Sequence, residues 1–319
     1  IILNYIKKKT NLNTLIVKKI KKNIFITGGL GQDGKILIRL LNPKKYNIYI
    51  FSKKKVRNTI KKCKIFNENL KYKKNIRSHF QKIKPDIVLH IASNNPSFNE
   101  KNHNLFYKEN LLTTKNIFDE TFKANTDSRF FFFNSSQIFK KKSGSVNEKS
   151  IFFRSSDYTK FRINSHKYMI KKKRVKKLFY TNLILFNHDS VFRNNKFLIP
   201  RVISAIKRKK IIFLKDIMKE NIHADFSHAE DICKAIIKLI SSNKNLDNLI
   251  LSSNKATSLN KIIYFIINKN KLKIDLKAKR LRKKKVLIGN NSKAKNLLKW
   301  RPKKDIFIAA NEIYNKNFI

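Results

Sequence analysis

Short apolar runs alternate along the chain with stretches whose apolar residues recur every three or four positions. The run Ile24-Phe25-Ile26-Thr27 enters a turn, and a helical pattern follows through Ile36, Leu37, Leu40 and Leu41. Tyr46–Phe51 predicts a second strand and Pro85–Ala92 a third, ended by Asn94-Asn95-Pro96. A long helical pattern covers 104–123. Arg129–Phe133 continues into Asn134-Ser135-Ser136, which predicts a buried strand ending in hydroxyls. A helix over 157–173 and a strand over 179–187 complete the regular part. Strands alternating with helices imply parallel βαβ units in a doubly wound sheet. Ligands of such sheets bind at the carboxyl ends of the strands. Thr27, Ala92, Ser135 and Asn187 are therefore expected to face one crevice.

Beyond Asn187 the regularity weakens. Helical patterns recur near 196–208, 229–241, 258–268 and 291–299, with a strand near Leu249–Ser252. The expected fold is α/β: a Rossmann-type doubly wound parallel sheet with a smaller C-terminal substrate lobe. Residues 1–22 are an N-terminal extension to which no function is assigned. Residues 23–186 are expected to form the Rossmann domain, with segments near 226–253 returning to it. Residues 187–225 and 254–319 form the lobe.

The first turn carries the chemistry of that assignment. Its glycines fall at G-x-x-G-x-x-G spacing, as Gly28, Gly31 and Gly34. Gly28 allows a tight turn off the strand, Gly31 lets backbone N–H groups approach a pyrophosphate, and Gly34 lets the helix pack closely. The helix N-terminus then presents partial positive charge to the anion. The chain has only 6 glycines in 319 residues, yet Gly28, Gly29, Gly31 and Gly34 share one seven-residue window. A ligand-free tight turn is the alternative. After the second strand come Lys53, Lys54, Lys55 and Arg57, and no acid occurs between Gly34 and Glu68. An acid at that place favours the ribose 2′-hydroxyl of NAD and a basic residue the 2′-phosphate of NADP. NADP is thus expected, with NAD as the alternative.

Composition changes the picture little. The formal charge is +54, from 74 Lys+Arg against 20 Asp+Glu. Such a balance suggests a polyanion partner. The chain is also crowded with Lys, Asn, Ile and Phe, whose codons are A/T-rich. A G-to-A change at the first codon position turns Glu into Lys and Asp into Asn, so compositional drift explains the same excess. The basic residues are spread along the chain, and no specific nucleic-acid partner is expected. No apolar run nears the roughly 20 residues of a membrane span. Cys63 and Cys233 lie far apart, which fits a reducing cytoplasm. His223 and His228 lack a third ligand, and no metal site is expected.

Tyr158 and Arg162 are four apart on a predicted helix and share a face. With Ser135 they make a Ser–Tyr–basic set for hydride chemistry on a carbinol or ketone. Ser135 would hold the substrate oxygen and Tyr158 would move its proton. A nearby cation favours the ionised phenol.

Here the chain resembles an extended short-chain dehydrogenase/reductase of the NAD-dependent epimerase/dehydratase family, and within it the GDP-mannose 4,6-dehydratases. Thr27-Gly28-Gly29-Leu30-Gly31-Gln32-Asp33-Gly34 is similar to that family's TGxTGQDG turn. Leu185–Ser190 resembles its LFNHES segment and Asp225–Asp231 its DWGHAKDY segment. Gly289–Lys295 with Leu298, Trp300 and Pro302 resembles its GDxTKAKxxLxWxP ending. The resemblance implies oxidation of a nucleotide sugar, a GDP-sugar by lineage, at C4. Water is then eliminated across C5–C6, and the hydride returns to C6. It implies cofactor contacts at Gly28, Gly31, Gln32, Asp33, Gly34, Lys53, Arg57, Asn69, Tyr158, Arg162 and His188. It implies substrate contacts at Ser135, Asn187, Arg193 and Arg280, and a homo-oligomer.

The departures bear on the reaction. The family's YxxxK lysine is Arg162 here, and the two side chains are not interchangeable. Lys160 is about 200° round the helix from Tyr158 and points away. The family's T-S-E reads Ser135-Ser136-Gln137, and Gln137 cannot titrate. Losing a general acid–base group costs about 10²–10⁴ in rate. Asn69 stands for an adenine-contacting aspartate, and the Ser93–Ser97 loop is shorter than the family's. A 4-epimerase, a 4-ketoreductase or a catalytically impaired relative therefore stand beside the dehydratase.

Overall fold

The computed structural model describes residues 21–52, 62–93, 103–276 and 284–316. Lys53, Arg57 and Arg280 lie outside these residues.

The chain runs β1 (Lys22–Thr27), α1 (Gln32–Leu40), β2 (Tyr46–Ser52), β3 (Cys63–Asn67), α2 (Lys73–Ile83), β4 (Ile87–His90), α3 (His103–Ala124) and β5 (Arg129–Ser135). It continues with β6 (Gly144–Val146), α4 (Asp157–Lys176), β7 (Phe179–Leu185), β8 (Asn187–Asp189), α5 (Leu198–Lys207), α6 (Ile211–Lys219) and β9 (His223–His228). The last elements are α7 (Ala229–Ser241), β10 (Asn248–Leu251), β11 (Ala256–Ser258), α8 (Leu259–Lys269), β12 (Leu287–Gly289), α9 (Ser292–Leu298) and α10 (Ile306–Asn315).

Seven parallel strands form the main sheet in the order β10-β7-β5-β4-β1-β2-β3. The order reverses at β1, between β4 and β2, and this switch point opens the crevice for a ligand. The central strands β1, β4 and β5 carry continuous apolar runs, Ile24–Ile26, Ile87–Leu89 and Phe130–Phe133, because both faces are covered. On one face Ile36 and Leu37 of α1 meet Ile232 and Ile236 of α7 and Leu298 of α9. On the other, Phe80 of α2, Phe118 of α3 and Phe161 of α4 meet Phe25, Phe130 and Phe132 of the sheet. A separate apolar cluster joins α5, α6, α8 and α10, with Ile203, Leu214, Ile263 and Ala310 at its centre. Beside it β8, β9 and β11 form a small sheet.

The alternating elements lie where the pattern puts them. Not legible in it are β3, α2, α6, α10 and the short strands β6, β8, β9, β11 and β12. The strand β3 is a half-buried edge with a lysine at its second position, and α2 buries only Ile76 and Phe80 among polar residues. In the returning region, β10 joins the main sheet and α7 packs on its face, whereas β9 belongs to the small sheet. Trp300 and α9, assigned to the lobe by sequence, bury against the α1 face of the main sheet.

Candidate active site

The glycine turn is built as a backbone cradle. Gly28 has φ +76°, and a Cβ there would lie 3.0 Å from the Ala92 nitrogen of the neighbouring strand end. A Cβ on Gly34 would lie 2.4 Å from Gly29 Cα, so the first turn of α1 rests directly on the turn's backbone. Gly31 caps α1 without a side-chain bond. The first N–H groups of a helix have no intrahelical acceptor and are available to an anion.

Two pockets meet at this cradle. The first, about 320 Å³, is lined by Gly28, Phe51, Ser52, Glu68, Leu70, Lys71 and Thr113. The second, about 600 Å³, holds Ser135, Ser136, Gln137, Tyr158, Arg162, Asn187, His188 and Arg193. Leu30, Gly31 and Ser93 line both. The pair suits a dinucleotide whose two halves part at a pyrophosphate on α1.

Each catalytic candidate has a local cause. The β5 strand ends at Ser135, whose Oγ accepts from the Gln137 N–H (3.3 Å) and so caps a short 3₁₀ turn, Ser136–Ile138. Helix α4 starts on a reciprocal cap: Ser156 Oγ accepts from Thr159 N, and Thr159 Oγ1 accepts from Ser156 N. This cap puts Tyr158 in the first turn, half-buried, and Arg162 one turn below it. Lys160 is exposed and pairs with Asp157 at 3.1 Å, away from the cleft.

Arg162 is only 7% exposed. Its guanidinium donates to the Phe133 carbonyl at the end of β5, and at 2.8 Å to Ser93 Oγ beyond β4. It lies 5.1 Å from the Tyr158 ring centroid and 5.0 Å from that of Phe161. The guanidinium therefore ties two strand ends together beneath the phenol. His90, at the end of β4, is bonded to Thr27 and Thr114. Burial and the nearby Arg162 charge push it down to about 3, so it stays neutral.

Gln32 and Asp33 turn inward. Both Asp33 carboxylate oxygens lie 3.1 Å from His188 Nε2, and His188 Nδ1 donates to the Phe186 carbonyl at 2.7 Å. Gln32 Nε2 donates to Asp33 and to the His188 carbonyl, and Gln32 Oε1 accepts from Ser190 Oγ. Burial would raise the Asp33 carboxyl, but the His188 charge outweighs it and holds the group below its usual value. Burial likewise opposes the charged His188, and Asp33 reverses the balance, raising it.

Arg193 stacks on Phe197 at 3.6 Å and lies 3.5 Å from Asp189. Asn187 is exposed on the cleft. Asn69 is one residue out of place: its side chain accepts from the Lys71 N–H in a turn, while Glu68 and Leu70 line the first pocket. The sequence signal for Glu68 was its being the first acid after Gly34. In sequence Ser93 is only part of a loop, and nothing in the pattern marks it as the partner of Arg162.

A family model described as GDP-mannose 4,6 dehydratase matches residues 25–312. The chain belongs to that family. It is 24% identical to GDP-mannose 4,6 dehydratase 1 of Arabidopsis thaliana, over 90% of this chain and 87% of that one. Its fold is that of UDP-glucose 4-epimerase from Thermotoga maritima, solved with UDP-glucose (TM-score 0.78, 17% identity, 92% of this chain and 97% of that). It is also that of dTDP-glucose 4,6-dehydratase from Bacillus anthracis, solved with NAD (TM-score 0.74, 14% identity, 92% and 95%). The family match thus places the chain with the GDP-mannose 4,6 dehydratases, and its fold is shared with the two solved nucleotide-sugar enzymes.

Proposed function

We propose that this chain is a nicotinamide-dependent enzyme that oxidises and reduces C4 of a nucleotide sugar without eliminating water. One observation carries the reading: Ser135, Tyr158 and Arg162 line one wall of a cleft that continues into the glycine cradle. When bound, a nicotinamide dinucleotide supplies the hydride acceptor and donor. The unsatisfied first-turn amides of α1 and the two joined pockets suit such a molecule. Lys53 and Arg57 favour NADP over NAD. The hydroxyl of Ser135 donates to the sugar's 4-oxygen while accepting from the Gln137 N–H. Tyr158 takes the proton as the carbinol becomes a ketone and returns it on reduction. Arg162, fixed by Phe133 and Ser93, lies against the Tyr158 ring and would hold the phenol in place at the cleft wall. Asn187 and Arg193 face the same cleft and would contact the nucleotide sugar, with Arg280 assigned there by resemblance alone.

Elimination needs a second proton-transfer group. Among the described residues, the only carboxylate lining the cleft is Asp33, and it is committed to His188. Gln137 occupies the place of the family's glutamate and cannot move a proton. These facts favour a 4-epimerase or 4-ketoreductase. The second reading is the full 4,6-dehydration of a GDP-sugar, favoured by the family match over 25–312.

The test is mass spectrometry of a reaction containing NADP and GDP-mannose. Loss of one water refutes the first reading and supports the second. An unchanged mass, with epimerised sugar or with turnover only on 4-keto substrates, supports the first. Tyr158→Phe should abolish either activity while leaving dinucleotide binding intact.

A further inference from the structure

The Asp33–His188 pair lies beside the reaction centre, and the chemistry above does not use it. Asp33 is the second residue of α1 and 8% exposed, at the end of the helix that offers its N–H groups to an anion. A carboxylate suits a helix N-terminus on its own. Next to a bound pyrophosphate it is a like charge. His188 removes that conflict. Both of its ring nitrogens face oxygen acceptors, the Asp33 carboxylate and the Phe186 carbonyl. A neutral imidazole has one N–H and satisfies only one of them. The imidazolium satisfies both.

We propose, resting on the dinucleotide reading above, that His188 is a positioning residue for the cofactor. Its imidazolium cancels the Asp33 carboxylate at the anion site, and cofactor binding draws a proton onto this pair. Gln32 keeps the pair from swinging out, through bonds of 3.2 Å to Asp33, 3.1 Å to the His188 carbonyl and 3.0 Å from Ser190. Among the described residues, the other charged or titratable groups around it are Arg193, Asp189 and Cys233, with Lys35 on the same pocket wall and Glu230 beyond Cys233. Arg193 opposes a second positive charge on His188 and so leaves the pair room to titrate. Asp189, raised by burial and lowered by Arg193 and His188, lies next in sequence to His188. Cys233 donates through Sγ to the Asp33 carbonyl at 3.8 Å, and burial keeps it a thiol. By linkage, a bound anion stabilises the imidazolium, and the imidazolium favours the anion by the same factor.

The experiment is calorimetric titration of NADPH into the full chain, at about pH 8, in buffers of different ionisation heat. It is run on the wild type, Asp33→Asn, His188→Gln and the double variant. The 2′-phosphate of NADPH titrates equally in all four, so differences between proteins report the pair. Circular dichroism and melting establish that each variant is folded. His188→Gln leaves Asp33 unpaired, so its Kd should weaken about tenfold or more and recover as pH falls. The double variant should regain most of the affinity and lose the wild type's extra proton uptake. A staple that merely holds the turn predicts the opposite, with the two losses adding. The inference is overturned if the double variant binds no better than His188→Gln, or if wild type and double variant take up equal numbers of protons. If neither NADPH nor NADH binds any of the four proteins, the cofactor reading fails and this inference falls with it. Binding without the proton difference overturns this inference alone.

Discussion

Replacing Arg162 with Lys restores the family's YxxxK pattern, yet in this chain it should destabilise. The guanidinium bonds two strand ends at once, the Phe133 carbonyl and Ser93 Oγ, and lies against the rings of Tyr158, Phe161 and Phe132. An ammonium has no planar fork to span both acceptors while stacking on the rings. One charge-assisted hydrogen bond is lost, worth about 1.5–3 kcal/mol, together with some of the ring attraction at about 0.5–2 kcal/mol. Lysine keeps the charge, so part of this is retained, and a net loss of about 2–3 kcal/mol follows. At roughly 2–4 °C per kcal/mol that is a fall in Tm of about 4–12 °C. Thermal melting by circular dichroism, without ligand, measures it. Ser93→Ala should show a smaller fall, and adding it to Arg162→Lys should cost little more. A Tm within a degree of the wild type would refute the anchoring. Additive losses would refute the assignment of Ser93 as its partner.

Three further outcomes follow from the geometry. Gln137→Glu puts a carboxylate on the exposed rim of the cleft, and the dehydrated product should appear or increase in the mass-spectrometric assay; no change would place the missing proton-transfer group elsewhere. Gly34→Ala sets a Cβ 2.4 Å from Gly29 Cα, a backbone contact that cannot swing away. The usual overpacking cost of about 1–3 kcal/mol should exceed the roughly 1 kcal/mol that alanine gains in a helix, lowering the urea midpoint and weakening NADPH binding. Lys234 and Lys304 lower Glu230 from 4.5 to about 2, so it binds protons more readily unfolded than folded. Its stabilisation is present above pH 4.5 and lost as pH falls towards 2, so the wild type's lead over Glu230→Gln in urea unfolding should shrink across that range.

The legible parts of this molecule are those where one local cause suffices. The turn of Gly28, Gly31 and Gly34 is read from sequence because φ, close packing and open amides all demand glycine there. The strands β1, β4 and β5 are read because burial on both faces leaves unbroken apolar runs. Edge elements fail this test: β3 needs apolar residues on one side only, and Lys64 interrupts it. Helix α4 buries Arg162, Ser165 and His166 as well as Phe161, so polarity alone does not show its inner face. Long-range pairings are silent in sequence. Asp33 and His188 are 155 residues apart, and each reads alone as a cofactor contact. Only the folded chain reveals that they answer each other. Glu68 and Asn69 differ by one position, and the turn at Asn69 decides which of them lines the pocket.

The charge of the chain sets a last expectation. With 74 Lys+Arg and 20 Asp+Glu, repulsion is the rule and each acid has several cations to choose from. Glu120 gathers Lys73, Arg77 and Lys123, and Glu230 holds Lys234 and Lys304. Other acids bond the backbone: Asp225 accepts from the N–H groups of Ser253 and Gly289, and Asp231 from those of Lys303 and Lys304. Exposed pairs contribute about 0–1 kcal/mol each and weaken with salt. The unpaired cations far outnumber them, and their mutual repulsion weakens too, as the Debye length falls from about 10 Å at 0.1 M to about 3 Å at 1 M. Repulsion should win, so Tm should rise as NaCl is increased from about 0.05 to 0.5 M. NaCl is the right salt, because sulfate would also strengthen apolar burial. A Tm that falls with NaCl would mean that the few ion pairs, and not the excess of lysine, dominate the electrostatics of the fold.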